Sequence, residues 1–201
     1  MSMANNTIKA ALALAAAALA LAAAALALAA PVLAFKDTDL EKLLSIGSCP
    51  FCDLRDARLV DAKLPGARLS GARLSGADLS GADLSNGNMR NAVMIKSVLF
   101  QANLSGADFS GANMTDARLS HANLKDAKLA GADLANADLS HSTFSGASLA
   151  RANLTGADLS DVDLTGVSLS GARWTDGQRC MENSVGDCTK ERRQPAPGMM
   201  W

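Results

Sequence analysis

Few residues in this chain have types and spacing suited to chemistry. The first are Cys49 and Cys52, in the run Cys49-Pro50-Phe51-Cys52. This spacing serves redox dithiols, half-sites for zinc, or structural disulfides. A redox dithiol needs a helix N-terminus to lower its thiol pKa, and the only short helix predicted here precedes the motif. A zinc site needs a second pair at ligand spacing, which is missing. The spacing therefore favours a structural disulfide or a buried cap. The second group is His121 and His141, the only histidines, with Asp161 a further 20 residues on. Imidazole and carboxylate suit zinc, so the three are candidate cation ligands, with Asp138 and Asp158 as an acidic pair nearby. Serines are many, but a nucleophilic triad needs a histidine held by a carboxylate. No phosphate loop, nucleophile elbow or H-E-x-x-H motif occurs. The chain reads as non-enzymatic, and no cofactor is expected.

The elements that must position these residues follow from one period. Every fifth residue from Leu54 to Trp174 is a sizeable apolar one, 25 in all, of which 19 are Leu. The others are Met89, Met94, Phe109, Met114, Phe144 and Trp174. Two residues before each stands a small one, Ala in 19 cases. The exceptions are Cys52, Gly87, Ser97, Ser142, Val162 and Val167. On an α-helix five residues turn a net of about 140°, which scatters the Leu residues and leaves no apolar face. On a flat strand the side-chain period is two, so an odd step sends successive Leu residues to opposite faces. A chain that turns a corner at every step buries them all. Gly recurs at the corner from residue 66 to residue 171, where positive φ is often required. A strict period of this length means a solenoid.

The runs Ala77-Asp78-Leu79-Ser80-Gly81 and Ala82-Asp83-Leu84-Ser85-Asn86 resemble the pentapeptide-repeat family. The resemblance covers residues 52–176. It implies an all-β solenoid, a right-handed quadrilateral β-helix with four pentapeptides per coil and about six coils in total. Residues 20 apart then stack about 4.8 Å from one another. His121, His141 and Asp161 would form one column, although a column lies along a line and zinc wants its ligands around a point. The pattern Trp174-x-Asp176-Gly177-x-x-Cys180 with Ser184-x-Gly186-x-Cys188 resembles the tail of many exported bacterial members. That resemblance implies a Cys180–Cys188 disulfide; the four cysteines alone allow three pairings.

Taken in order, residues 1–34 read as a signal peptide. Lys9 supplies positive charge, residues 10–30 are all Ala or Leu, and Val32-Leu33-Ala34 offers a cleavage site. The apolar run is also long enough for an anchor, so a membrane association is expected only if it stays uncleaved. Residues 35–51 read as an N-terminal capping segment. Thr38 and Glu41 suggest a capping box, Leu40, Leu43 and Leu44 one apolar side, and Gly47 the stop. Residues 177–201 read as a cap loop and a disordered tail. Local cysteine pairs suit an oxidising compartment, periplasmic or secreted.

Charge removes other functions. The net charge is −1, and residues 53–176 carry 14 Asp against 12 Lys or Arg. Aromatic residues are 3% and Tyr is absent, which leaves no platform for stacking bases. Nucleic acid is not an expected partner. Some members of the family are acidic rods that mimic DNA and bind gyrase, which this nearly neutral rod does not match. At residues 93–100 the polar surface breaks, with Val93, Ile95, Val98 and Phe100 at outward positions. Apolar patches mark contact sites. The expected function is protein–protein or envelope-scaffold contact through this patch, a homodimer being one use of it. The alternative is a thiol-redox or metal-binding protein using Cys49 and Cys52.

Overall fold

The computed structural model describes residues 37–190. The leader assigned to residues 1–34 and the tail beyond residue 190 lie outside them. A five-residue step requires a sharp corner at each step. The corner residues run from Phe51 to Gly171, and all 25 have φ between 54° and 76°. Eleven are Gly. Of the fourteen others, eight are Asp or Asn, whose short polar side chains tolerate this region best among residues with a Cβ. Each corner is the third residue of a four-residue turn, as where Ala57 N donates to Leu54 O at 3.2 Å. The second residue keeps negative φ, so the turns are type II.

The repeat sequence follows from satisfying five amides per step. In one step, Asp78 N donates to Ala57 O in the coil before, at 2.9 Å. Leu79 N and Gly81 N donate to Val98 O and Phe100 O in the coil after, at 2.7 and 2.8 Å. Ala82 N closes the turn on Leu79 O at 3.0 Å. Only Ser80 N lacks a backbone acceptor, and Asp78 Oδ1 takes it at 3.0 Å while also accepting the Ser80 hydroxyl at 2.6 Å. Asn113 with Thr115 and Asp138 with Ser140 repeat the device.

Pairing is parallel and in unbroken register. Ser48 pairs with Arg68, and each fifth residue onward pairs with the residue 20 later, to Asn153 with Arg173. The pairs are single-residue bridges between turns rather than continuous strands. Four columns result, so the coil is four-sided. Every central residue from Leu54 to Leu154 is at most 5% exposed, and the Ala residues complete the inner wall. Ser97 and Ser142, at small inward positions, are buried and donate to Met94 O and Leu139 O.

Helix α1 spans Asp37–Ile46. Leu43 is fully buried and Leu40 packs on the core, but Leu44 is 58% exposed. It lies 100° past Leu43 and leaves the apolar side on which the sequence reading placed it. Thr38 lies inside the first turn rather than before it. Gly47 (φ +63°) ends the helix, its N–H donating to Leu43 O at 2.8 Å and its carbonyl accepting Arg68 N at 2.9 Å. At the other end, residues 177–190 double back. Val185 and Arg179 pair antiparallel with Ser168 and Arg173.

Corners 20 residues apart are complementary. A Cβ on Gly76 would meet Asp56 Oδ1 at 2.2 Å, whereas one on Gly131 would meet nothing within 4 Å. Gly131→Ala should therefore cost only the positive-φ penalty, about 1 kcal/mol. Gly76→Ala should cost more, and Asp56→Gly should remove the excess. Thermal melts of the four variants give the coupling directly.

The Asp–Ser device also sets an acid limit. The Ser80 hydroxyl and amide hold the Asp78 carboxyl below its ordinary value of 3.8. At Asp138, burial pushes the carboxyl up, but the Ser140 bonds, the Ser120 hydroxyl and the Arg118 charge together outweigh it and the net shift is down. A carboxyl lowered in the folded state adds stability that is fully present above its unfolded value and is lost as pH falls through the folded one. The melting temperature should hold near neutrality and fall below about pH 4. Asp78→Asn keeps an acceptor and should shrink that fall. Ser80→Ala should lower the neutral-pH midpoint by about 2–4 °C, the equivalent of about one hydrogen bond.

Candidate functional site

The structure distributes the candidate residues over three places. At the N-terminal end, Cys49 sits at a central position and Cys52 at a small one, with both side chains in the core. They are joined, with Cα atoms 5.4 Å apart. Asp39 of α1 stands over them, and its Oδ2 accepts Asp53 N at 2.9 Å. Asp39, Cys49 and Cys52 form the one group of three metal-type side chains within reach of a single ion among the described residues. In this structure the sulfurs are bonded to each other rather than free to ligate. At the other end Cys180 and Cys188 are joined, with Cα atoms 5.0 Å apart, which closes the returning loop.

The histidine column stands at a corner of the rod. His121 and His141 stack with ring centroids 4.8 Å apart and planes 10° from parallel. Phe100 meets His121 edge-on at 5.6 Å, and His141 Nδ1 lies 3.5 Å from Asp161 Oδ2. Phe100, His121, His141 and Asp161 thus form one continuous column spanning four coils. Nearly parallel rings at this separation point their nitrogens side by side, not at a common centre. Zinc holds nitrogen at about 2.0–2.1 Å in a tetrahedron, so the column runs past the place where an ion would sit. Asp138 and Asp158 pair on a neighbouring face, each engaged with its own serine.

A cleft of roughly 380 Å³ opens between the coils beside this column, lined by His141, Thr143, Ser145, Asp161, Asp163 and Thr165 among others. Its cause is local. Val162 and Val167 occupy slots that Ala fills in 19 repeats, and overpacked walls move apart. Thr143 and Asp163 stay in register, but Phe144 N and Gly146 N find no acceptor in the coil beyond, among the described residues. Sequence reading missed this cleft, although two Val residues in Ala slots were its visible signal.

The apolar group lies on two adjoining faces. Val93 and Ile95 belong to one side, Val98 and Phe100 to the next, around the corner at Lys96. All four point outward and are partly buried. Val93 and Val98 cannot supply the carboxylate that the Asp–Ser device needs, so Ile95 N and Phe100 N have no partner among the described residues. The most exposed large apolar side chains are instead at the rod's ends: Leu44, Ile46, Phe51 and Val60 at one, Met181 and Val185 at the other.

Because the histidine nitrogens do not converge, saturating zinc at neutral pH should leave the melting temperature unchanged. A single site filled to 100 times its Kd would instead add about 2.7 kcal/mol, and His141→Ala would abolish that rise.

The family model for pentapeptide repeats matches residues 52–91, 97–134 and 132–171. Among solved structures, a trypsin-treated variant of QnrB1, described as a plasmid-mediated fluoroquinolone resistance protein, is 25% identical. The match covers 63% of this chain and 67% of that one, with a TM-score of 0.53. The pentapeptide repeat protein Rfr23 from the cyanobacterium Cyanothece 51142 is 25% identical over 66% of this chain and 93% of its own, with a TM-score of 0.31. The pentapeptide repeat protein alr5209 from Nostoc PCC 7120 is 36% identical over 50% of this chain and 78% of its own, with a TM-score of 0.27. No curated protein matches the chain. Proteins of this family fold as right-handed quadrilateral β-helices and are generally non-catalytic interaction solenoids. The repeat, its corners and its four-sided register are those of that fold, and the chain belongs to the pentapeptide-repeat family.

Proposed function

We propose that this protein is an exported interaction module, a rod of about six coils that offers rigid faces to a protein partner in the cell envelope. The observation that carries the reading is the group Val93, Ile95, Val98 and Phe100. Repeats elsewhere place Asp, Asn, Ser or Thr at many of the matching positions, where they satisfy their own amides. Here four apolar side chains face outward together on two adjoining faces. A contact surface combines an apolar centre with a polar rim. Helix α1 acts as the lid of the first coil, with Leu43 as its plug and Asp39 as its clamp. A solenoid needs its open ends covered.

Export is supported by the leader-like residues 1–34 and by two sequence-local cysteine pairs. Cys49–Cys52 and Cys180–Cys188 then serve as structural disulfides, one at each end of the rod. The near balance of charge along residues 53–176 argues against a DNA-mimicking role.

Changing Val98 and Phe100 to Ser should leave the monomer folded, since both point outward, and should weaken association. Light scattering reads a homodimer, and co-purification from the native envelope reads a different partner. A monomer throughout, with unchanged co-purification, would sink the reading. Intact mass of the mature protein tests export, with loss of residues 1–34 and four oxidised thiols as the expected result.

A further inference from the structure

The C-terminal end of the rod is finished on two sides and unfinished on the other two. On the finished sides, residues 177–190 complete the last coil. Leu169 N donates to Ser184 O at 2.8 Å, Cys180 N to Ala172 O at 2.7 Å and Gly186 N to Val167 O at 2.9 Å. The Cys180–Cys188 bond holds this added antiparallel segment in place. This end of the rod therefore accepts a further turn of chain, bridged on each side it covers.

Residues 157–164 have no such cover. Leu159 N, Asp161 N and Leu164 N have no acceptor, and Ala157 O and Val162 O no donor, among the described residues. Leu159, Val162 and Leu164 are partly exposed, whereas the central residues from Leu69 to Leu154 are fully buried. Around this edge stand Asp158, Asp161 and Asp163, all exposed. Asp161 and Asp163 also line the adjoining cleft of roughly 380 Å³. Among the described residues, His141 Nδ1, 3.5 Å from Asp161, is the one basic group in ion-pair range of the three.

We infer that this edge docks a positively charged segment of a partner protein, bridged on each side of the corner at Asp161 and turning with it. Free amides and carbonyls supply the ladder, as in β-strand addition elsewhere. The partly exposed Leu159, Val162 and Leu164 give the segment an apolar floor. Three carboxylates select Lys or Arg on its outward side, and the cleft has room for one long basic side chain. The inference extends the interaction role to a second surface. It uses none of residues 93–100, so it stands or falls independently of the Val98 and Phe100 test.

The probe is an acetylated, amidated ten-residue peptide of lysine and threonine with Asn-Gly at its centre to take the corner, titrated into the full chain by fluorescence anisotropy. It should bind, and the same peptide with Glu for Lys should bind at least about tenfold more weakly. Changing Asp158, Asp161 and Asp163 together to Asn keeps the local acceptors and removes the charge. That variant should remain folded at neutral pH, with a cooperative melt, and lose about tenfold in affinity. Hydrogen exchange at the Leu159, Asp161 and Leu164 amides should slow at saturating peptide. Binding without amide protection would be charge attraction alone and would overturn the inference. So would equal affinity for the triple variant. No binding at all would also overturn it, leaving the carboxylates as a guard against strand addition.

Discussion

Everything in this rod depends on a backbone held in the left-handed region at every fifth residue. One such corner turns the chain and points the next apolar side chain at the axis. It also sends two amides of each step to the following coil and one to the coil before. Residues other than Gly pay for that conformation, about 1 kcal/mol apiece, and fourteen of them do so here. The cost is tolerable because each step fixes several backbone hydrogen bonds and buries a Leu and an Ala at once. Burying a Leu side chain alone contributes about 1.5–3 kcal/mol. The polar half of the repeat is explained by the one amide that no carbonyl reaches. Asp or Asn two residues earlier accepts it, and Ser or Thr on the same residue donates a second bond.

The fold was legible because the period is a one-dimensional property. A five-residue step excludes helix and flat strand by arithmetic alone, so the inward Leu, the Ala wall and the corner positions could be placed on the chain directly. Relations across 20 residues were harder. Asp56 over Gly76 and Asp126 over Gly146 are visible only once the number of sides is known, and period five does not supply that number. Leu44 was misplaced because a ten-residue helix shows too few turns to separate a lid face from a solvent face. The histidine column was foreseen as a stack. Its failure to converge on a point followed from the same spacing, since a column lies along a line, and the ring planes, 10° from parallel, agree.

Function was less legible, for a physical reason. A convex rod spends its apolar residues inside and its polar residues on its own amides, so a working surface shows only as a departure from the repeat. Two departures stand out. At residues 93–100, valines take positions where Asp or Asn would satisfy an amide. At residues 162 and 167, valines take positions where Ala would let the walls approach. The first changes the surface chemistry without disturbing the register, as the continuous pairing through Val93 and Val98 shows. The second changes the packing and opens the ladder beside it.

The two ends of the rod then differ in kind. At the first coil stands a helix whose Leu43 is buried in the core and whose Asp39 takes an amide of the first repeat. A helix satisfies its own backbone, so it covers the core without needing the ladder to continue. The last coil is closed by more ladder, on two sides among the described residues, and a ladder can always be extended. An exposed edge of this sort invites unwanted pairing unless it is charged or covered. Asp158, Asp161 and Asp163 supply charge of one sign. They repel a second copy of the same edge as strongly as any acidic strand, since like charges would face each other across the junction. That asymmetry admits a basic segment and excludes the rod's own C-terminal end, so specificity at this edge comes from what the carboxylates turn away as much as from what they attract.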